Sequence, residues 1–172
     1  MQDSSPPSPT SERVQLLHTV HQNHTRLSAI ADLKASILVG SSLIVLTLIF
    51  SKLDTGDLSI TLVVLAAFLL ASSVFAVFAT LPRSKPEAGR AHKFNLFFFG
   101  SFAQLSEREF TTSLMDTLAD ERKALETMSH DIYQLGAFLY LRKYRFLRWS
   151  YATLLIGLAA TGLNWMIELV AN

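Results

Sequence analysis

A chain of 172 residues that is half hydrophobic, only 17% charged and +1 in net charge lacks the balance of an ordinary soluble domain, which is about a quarter charged. The charge deficit is concentrated in three runs, which argues for membrane spans over a merely greasy core, while the near-zero net charge singles out no partner. With no cysteine, a disulfide framework, a thiol nucleophile and Cys-ligated zinc are excluded.

Residues 1–10, MQDSSPPSPT, are rich in Ser and Pro, so 1–11 reads as a disordered tail. It lacks the basic start and apolar middle of a signal peptide, and no cleavage is expected. Ser11 is the predicted N-cap of a helix that opens at Glu12. Over 12–34 the pattern is amphipathic, with Leu16, Val20, Leu27 and Ile30 on one stripe. No breaker separates this helix from the first predicted span, 35–51, whose uncharged stretch Ala35–Phe50 is sixteen residues long. That is short, but Lys34 and Lys52 flank it ~27 Å apart and can snorkel to the headgroups. LDTGD at 53–57 is an acidic turn. The second span, 58–81, has 24 uncharged residues, enough to require tilt, and stops before Pro82.

Residues 83–93 form a basic linker. Residues 94–102, FNLFFFGSF, hold five of the twelve Phe and are too few to cross a bilayer. They read as an interfacial wedge or as a segment packed on the helices, and Gly100-Ser101 favours a tight turn onto protein. Ser106 to Glu109 is a capping-box pattern that starts a helix. Leu114, Leu118, Leu125, Met128, Ile132, Leu135 and Leu139 then make a nearly heptad stripe, with a break placed near Asp120. From Ser129 to Ile167 one continuous helix is predicted. It is amphipathic first, then carries a basic cluster (Arg142, Lys143, Arg145, Arg148), then nineteen uncharged residues over 149–167. These last make ~28 Å of helix, close to the ~30 Å hydrocarbon thickness.

Fourteen of the fifteen Lys and Arg fall on one side of a three-span chain, in 1–34 and 83–148; only Lys52 falls on the other. By the positive-inside rule the N-terminus and 83–148 are cytoplasmic in a multi-pass protein of the cell inner membrane. Two amphipathic segments there must bury their apolar faces. The expected fold is an all-α membrane protein of three transmembrane helices, with helices one and three extended into a cytoplasmic helical bundle.

Chemistry-bearing residues are sparse. His18, His21 and His24 recur every third residue, but three such steps sweep round a helix and no acidic ligand accompanies them, so surface or packing roles are favoured over a metal site. His130-Asp131 is similar to the metal-binding doublet of HD phosphohydrolases, which need further His and Asp ligands spread over several helices. No Gly-rich phosphate loop, no nucleophile elbow and no nucleic-acid-binding signature is present. The chain is therefore expected to be no enzyme, with no catalytic residue, no metal and no cofactor. Asp32, where the first helix enters the bilayer, is costly unless paired, and the basic residues 142–148 reach the same level. That pairing is either a structural salt bridge or the rim of a site for a small anionic ligand. In the second case Arg26, Lys34 and Lys143 supply donors for a phosphodiester and Tyr144 a ring for a base.

ADLKAS at 31–36, FNLFFFGSFAQLSEREF at 94–110 and DIYQLGAFLYLRKYRFLRWSY at 131–151, each in its order relative to the spans, resemble the transmembrane effectors of Pycsar anti-phage defence. The resemblance covers most of 20–155. It implies an effector that responds to a cyclic pyrimidine mononucleotide, cyclic CMP or cyclic UMP, made by a partner cyclase after infection. It further implies that inner-membrane integrity is then impaired, as abortive infection. The family pattern singles out Ala31, Asp32, Lys34 and Ala35, then Asp131, Lys143 and Tyr144. The expected ligand site is accordingly Arg26, Asp32, Lys34, Asp131, Lys143 and Tyr144. Small residues along the spans suit close helix contact in a homo-oligomer within the lipid bilayer. The spans lack the polar stripe of an aqueous pore, so rupture by assembly is favoured over a selective channel. The alternative is a membrane scaffold whose cytoplasmic helices recruit a soluble partner.

Overall fold

Helix-forming residues fill nearly all of the chain, and the computed structural model, which describes residues 9–54, 59–81 and 94–171, is 91% helical with no strand among the described residues. In order come α1 (Pro9–Asp54), α2 (Ile60–Thr80), α3 (Phe99–Phe102), α4 (Glu107–Leu118), α5 (Glu121–Phe138), a π-helical turn (Leu139–Tyr144) and α6 (Arg145–Ala171). Three helical stretches are long and apolar enough to cross a membrane: within Ser11–Lys52, Ile60–Thr80 and within Glu121–Val170. Residues 1–8, residues 55–57 of the expected turn and the linker at 83–93 lie outside the described residues.

Helix α1 begins at Pro9, two residues before the expected Ser11 cap. A proline at the first helical position gives up only an N–H that has no intrahelical acceptor there, so the helix starts on it at no cost. Helix α2 begins later than expected, because Ser59 caps it by accepting from the Leu62 N–H at 3.4 Å. It ends where Pro82 forces the preceding Leu81 out of helical geometry, at φ −56° and ψ 127°.

The chain divides into two compact units. The first holds α1 up to Leu27 and the described residues 94–138. Here the capping box is complete: the Ser106 N–H and hydroxyl donate to Glu109 Oε2 at 2.8 and 2.7 Å, and the Glu109 N–H donates to Ser106 Oγ at 3.3 Å. The two bonds from Ser106 favour the ionised carboxylate and hold Glu109 below its ordinary pKa, the side-chain bond more than the backbone one. The expected break falls at Ala119-Asp120, with Asp120 Oδ1 accepting from the Arg122 N–H at 2.9 Å. This break resets the helical phase, so the predicted stripe does not run straight through. Leu118 is exposed and Thr117 is buried in its place. The aromatic run makes a turn at Leu96-Phe97 and then α3, with Asn95 and Leu96 buried. Gly100, inside α3, lies against the Phe98 ring, which a Cβ at that position would displace.

The second unit holds Ser28–Leu81 and the chain from Leu139 on. Ala31, Ala35, Leu38, Ala76, Ala79 and Leu147 make one core cluster, and Leu46, Ile49, Ala66 and Leu69 another. Small residues let the helices approach closely. Gly157 of α6 lies against Phe68 of α2 with no room for a Cβ. Nearby, Ser72 Oγ donates to the Ser150 carbonyl at 2.8 Å and Ser150 Oγ donates to the Ser72 carbonyl at 2.7 Å. At the other end of α6, Asn164 donates to Thr61 Oγ1 and to Glu168 Oε1, and Thr61 also donates to Glu168. Around these contacts Ile37, Ile44, Leu48, Leu70, Leu155 and Leu163 face outward. An apolar surface of that extent is what a lipid-embedded bundle presents and a water-exposed monomer does not.

Candidate functional site

The face that α1 turns inward differs from the one its hydrophobic pattern picks out. Leu16, Leu27 and Ile30 are exposed, and only Val20 of the predicted stripe is half-buried. The covered face instead runs through Leu17, His21, His24, Ser28, Ala31, Ala35, Leu38 and Ser42, alternating steps of three and four. In its first half His21 and Ser28 meet polar groups, which an apolar-periodicity argument cannot see.

In the second unit those groups belong to Lys143. The π-helical turn carries its side chain inward, leaving Lys143 6% exposed. The ammonium donates to Asp32 Oδ1 and Oδ2, both at 2.7 Å, and to Ser28 Oγ at 2.8 Å. Three acceptors satisfy its three N–H groups, the condition under which a buried charge is tolerated. Asp32 is less covered, its side chain being 43% exposed. The carboxylate is thus the accessible half of the pair and the ammonium the inaccessible half. Tyr144, next along the turn, is half-buried against the Ala31–Leu147 cluster. Lys34 is exposed and apart from the pair: two residues along a helix is a turn of about 200°, so Lys34 leaves the opposite side from Asp32.

The other expected site residues lie in the first unit. Arg26 is exposed. Asp131 belongs to a knot built on Asn95, which is 1% exposed. Asn95 Nδ2 donates to Asp131 Oδ1 at 2.8 Å and to Gln134 Oε1 at 3.0 Å, while its Oδ1 accepts from the Phe97 N–H at 3.0 Å. His21 Nε2 lies 3.4 Å from Asp131 Oδ2, and the His130 and Gln134 side chains are 2.9 Å apart. His24 rests on Gly136, its Nδ1 buried and without a hydrogen-bond partner among the described residues. His18 is exposed, 3.4 Å from the Gln22 amide. The three histidines therefore do three different things.

Of the six expected residues, then, Asp32 and Lys143 touch, Tyr144 packs beside them, and Lys34 points away. Arg26 and Asp131 sit in the first unit. Sequence reasoning missed Ser28, Asn95 and Gln134. Ser28 lies one helical turn before Asp32 and shares its face. Asn95 is the lone polar residue in the run FNLFFF, which is itself a sign of a buried hydrogen-bonding role. No feature of the sequence marks the π turn.

These features describe an all-α chain with three helices suited to a bilayer and, between the first and third of them, an ion pair whose ammonium is buried and fully bonded. Residues 15–170 match the family model described as the Pycsar effector protein domain. The chain belongs to that family, and its role is that of an effector in anti-phage defence. Neither the search of curated proteins nor that of solved structures gave a match.

Proposed function

We propose that a cyclic pyrimidine mononucleotide, cyclic UMP or cyclic CMP, bound on the cytoplasmic side, switches this chain into a form that impairs the inner membrane and ends growth before phage release. The observation that carries this reading is the Lys143–Asp32 pair, a buried cation whose counter-ion is open to solvent. A phosphodiester offers the ammonium the same charge and the same two-oxygen geometry as Asp32, so it can compete for Lys143. Tyr144, next to Lys143, offers a ring face to the base. Lys34 adds positive charge only from the opposite side of α1. Arg26 and Asp131, in the other unit, stand as separate contacts to be tested singly. The chain acts in this reading as a homo-oligomer in the bilayer and catalyses no reaction. Its third and first helices carry the binding event toward the lipid, and a ligand can do so only by binding one conformation better than another.

Calorimetric titration of the detergent-solubilised protein with the four cyclic mononucleotides tests the ligand. Binding is expected for a pyrimidine and absent for both purines. Lys143→Ala is expected to weaken it about tenfold or more, the worth of a charge-assisted hydrogen bond, and Lys34→Ala to weaken it less. Liposomes carrying the protein are expected to release a trapped dye on adding the same nucleotide. Tight liposomes and no heat of binding would return the chain to a scaffold for a soluble partner.

A further inference from the structure

Helix α1 carries two seams, and the rest of the chain fills only one. The covered face runs through Leu17, His21, His24, Ser28, Ala31 and Ala35. One residue before each of these, about 100° round the helix, stand Leu16, Val20, Asn23, Leu27, Ile30 and Lys34. Val20 is half-buried and the other five are exposed, Leu16 at 65% and Leu27 at 42%. Steps of four and three alternate along this second stripe, the repeat by which two helices pack side by side along their length. The spacing belongs to α1 alone, since all six lie on that one helix.

The stripe precedes the uncharged stretch 35–50 and runs among Arg13, Arg26 and Asp32, so it stands outside the hydrocarbon. A single exposed leucine in water is ordinary, but an aligned apolar row calls for a cover. The bilayer does not supply it. No proline interrupts α1 after Pro9, so this half continues the axis of the span and is not laid along the membrane surface.

We propose that this stripe is the interface between two copies of the chain, their α1 helices parallel and in register. It gives the homo-oligomer of the reading above its contact surface, and it rests on that part of the reading and not on the nucleotide. Two copies in one membrane share orientation and height, so each residue of the stripe meets its own counterpart. Asn23 fits that arrangement: an amide both donates and accepts, so two of them at one height satisfy each other, whereas an apolar partner would leave each unpaired. A lone amide in such a seam also fixes register. Past Lys34 the same stripe continues as Ile37, Ile44 and Leu48, all exposed, so a contact begun in water extends into lipid. Lys34 is the discordant member. It brings two ammoniums together where the stripe enters the bilayer, and their repulsion keeps the pair separable.

The chain has no cysteine, so single cysteines report which faces of two copies meet. In the protein reconstituted without nucleotide, Leu16→Cys and Leu27→Cys are each expected to form disulfide-linked dimers on mild oxidation. Thr25→Cys, exposed on the far side of α1, is expected not to. In the Leu16→Cys protein, Leu27→Glu is expected to cut the yield about tenfold or more, by setting two carboxylates in the seam. Leu27 is exposed, so the fold tolerates that change, and an unaltered melting temperature checks it. Lys34→Gln, at a protein-to-lipid ratio where the yield is partial, is expected to raise it about fivefold, the repulsion of two unit charges a few ångströms apart in water. Equal yields at all three cysteines would be random collision and would refute the seam, as would an unchanged yield with Leu27→Glu. Energy transfer between copies labelled at Thr112→Cys separates the remaining cases. Transfer without cross-links at positions 16 and 27 refutes this face while the homo-oligomer stands. No transfer and no cross-link refutes both and hands the stripe to a soluble partner. Cross-links at 16 and 27 in a protein that binds no cyclic nucleotide leave the interface standing while the ligand reading falls.

Discussion

Single side chains decide more here by what they saturate than by what they expose. The Lys143 ammonium has three acceptors for three donors, so its burial is tolerated, and any anion that reaches it must displace at least one of them. Asn95 is likewise saturated and ties the aromatic turn to α5 through Asp131 and Gln134. Glu109 offers a pH test. Its carboxylate is held below its ordinary pKa by the two hydrogen bonds from Ser106. A depressed acid contributes its stability above the unfolded pKa and loses it as pH falls through the folded one. Glu109→Gln should therefore melt below wild type at neutral pH, with the gap closing under acid. Melting curves of the two proteins in detergent from pH 7 down to pH 3 check this, and a constant gap would show that the capping box acts through shape alone.

At the level of helices, close approach is set by a few small residues. Gly157 against Phe68 and the crossed bonds of Ser72 and Ser150 fix how α6 lies on α2. Enlarging Gly157 forces Phe68 off its place, and overpacking of this kind costs about 1–3 kcal/mol. Gly157→Ala is therefore expected to lower the melting temperature in detergent. Gly162→Ala, with nothing within 4 Å of the added carbon, should leave the melting temperature unchanged. Equal effects of the two substitutions would mean that loss of backbone freedom, and not the Phe68 contact, is what glycine supplies. Helix starts follow the same local logic: Pro9, Ser59 and Ser106 each open a helix by satisfying or omitting an orphan N–H.

For the molecule as a whole, the pattern of basic residues and the three apolar helices together point to a membrane location. The orientation we propose rests on fourteen of fifteen Lys and Arg falling in 1–34 and 83–148. Thr112→Cys should then be labelled by an impermeant maleimide only after the cells are opened, and Lys52→Cys before. The reverse result would put the ligand site outside the cell, out of reach of a nucleotide made within it. The wide outward-facing apolar surface of the second unit fits a chain whose surroundings are lipid or further copies of itself.

Periodicity, charge placement and breakers were enough to read three spans, the capping box at Ser106, the break at Asp120 and an ion pair between Asp32 and the basic cluster at 142–148. Each depends on residues near in sequence or on the bulk cost of putting charge in lipid. They were not enough to show which face of α1 is covered, because the residues of its covered stripe, His21, His24, Ser28 and Ala31, are polar or small. Ser28 and His21 are covered because Lys143 and Asp131, more than a hundred positions away, meet them there. The π turn was equally hidden: nothing in LYLRKY forbids an α-helix. The acceptors that Lys143 meets from that turn, on Ser28 and Asp32, come together only in the folded chain.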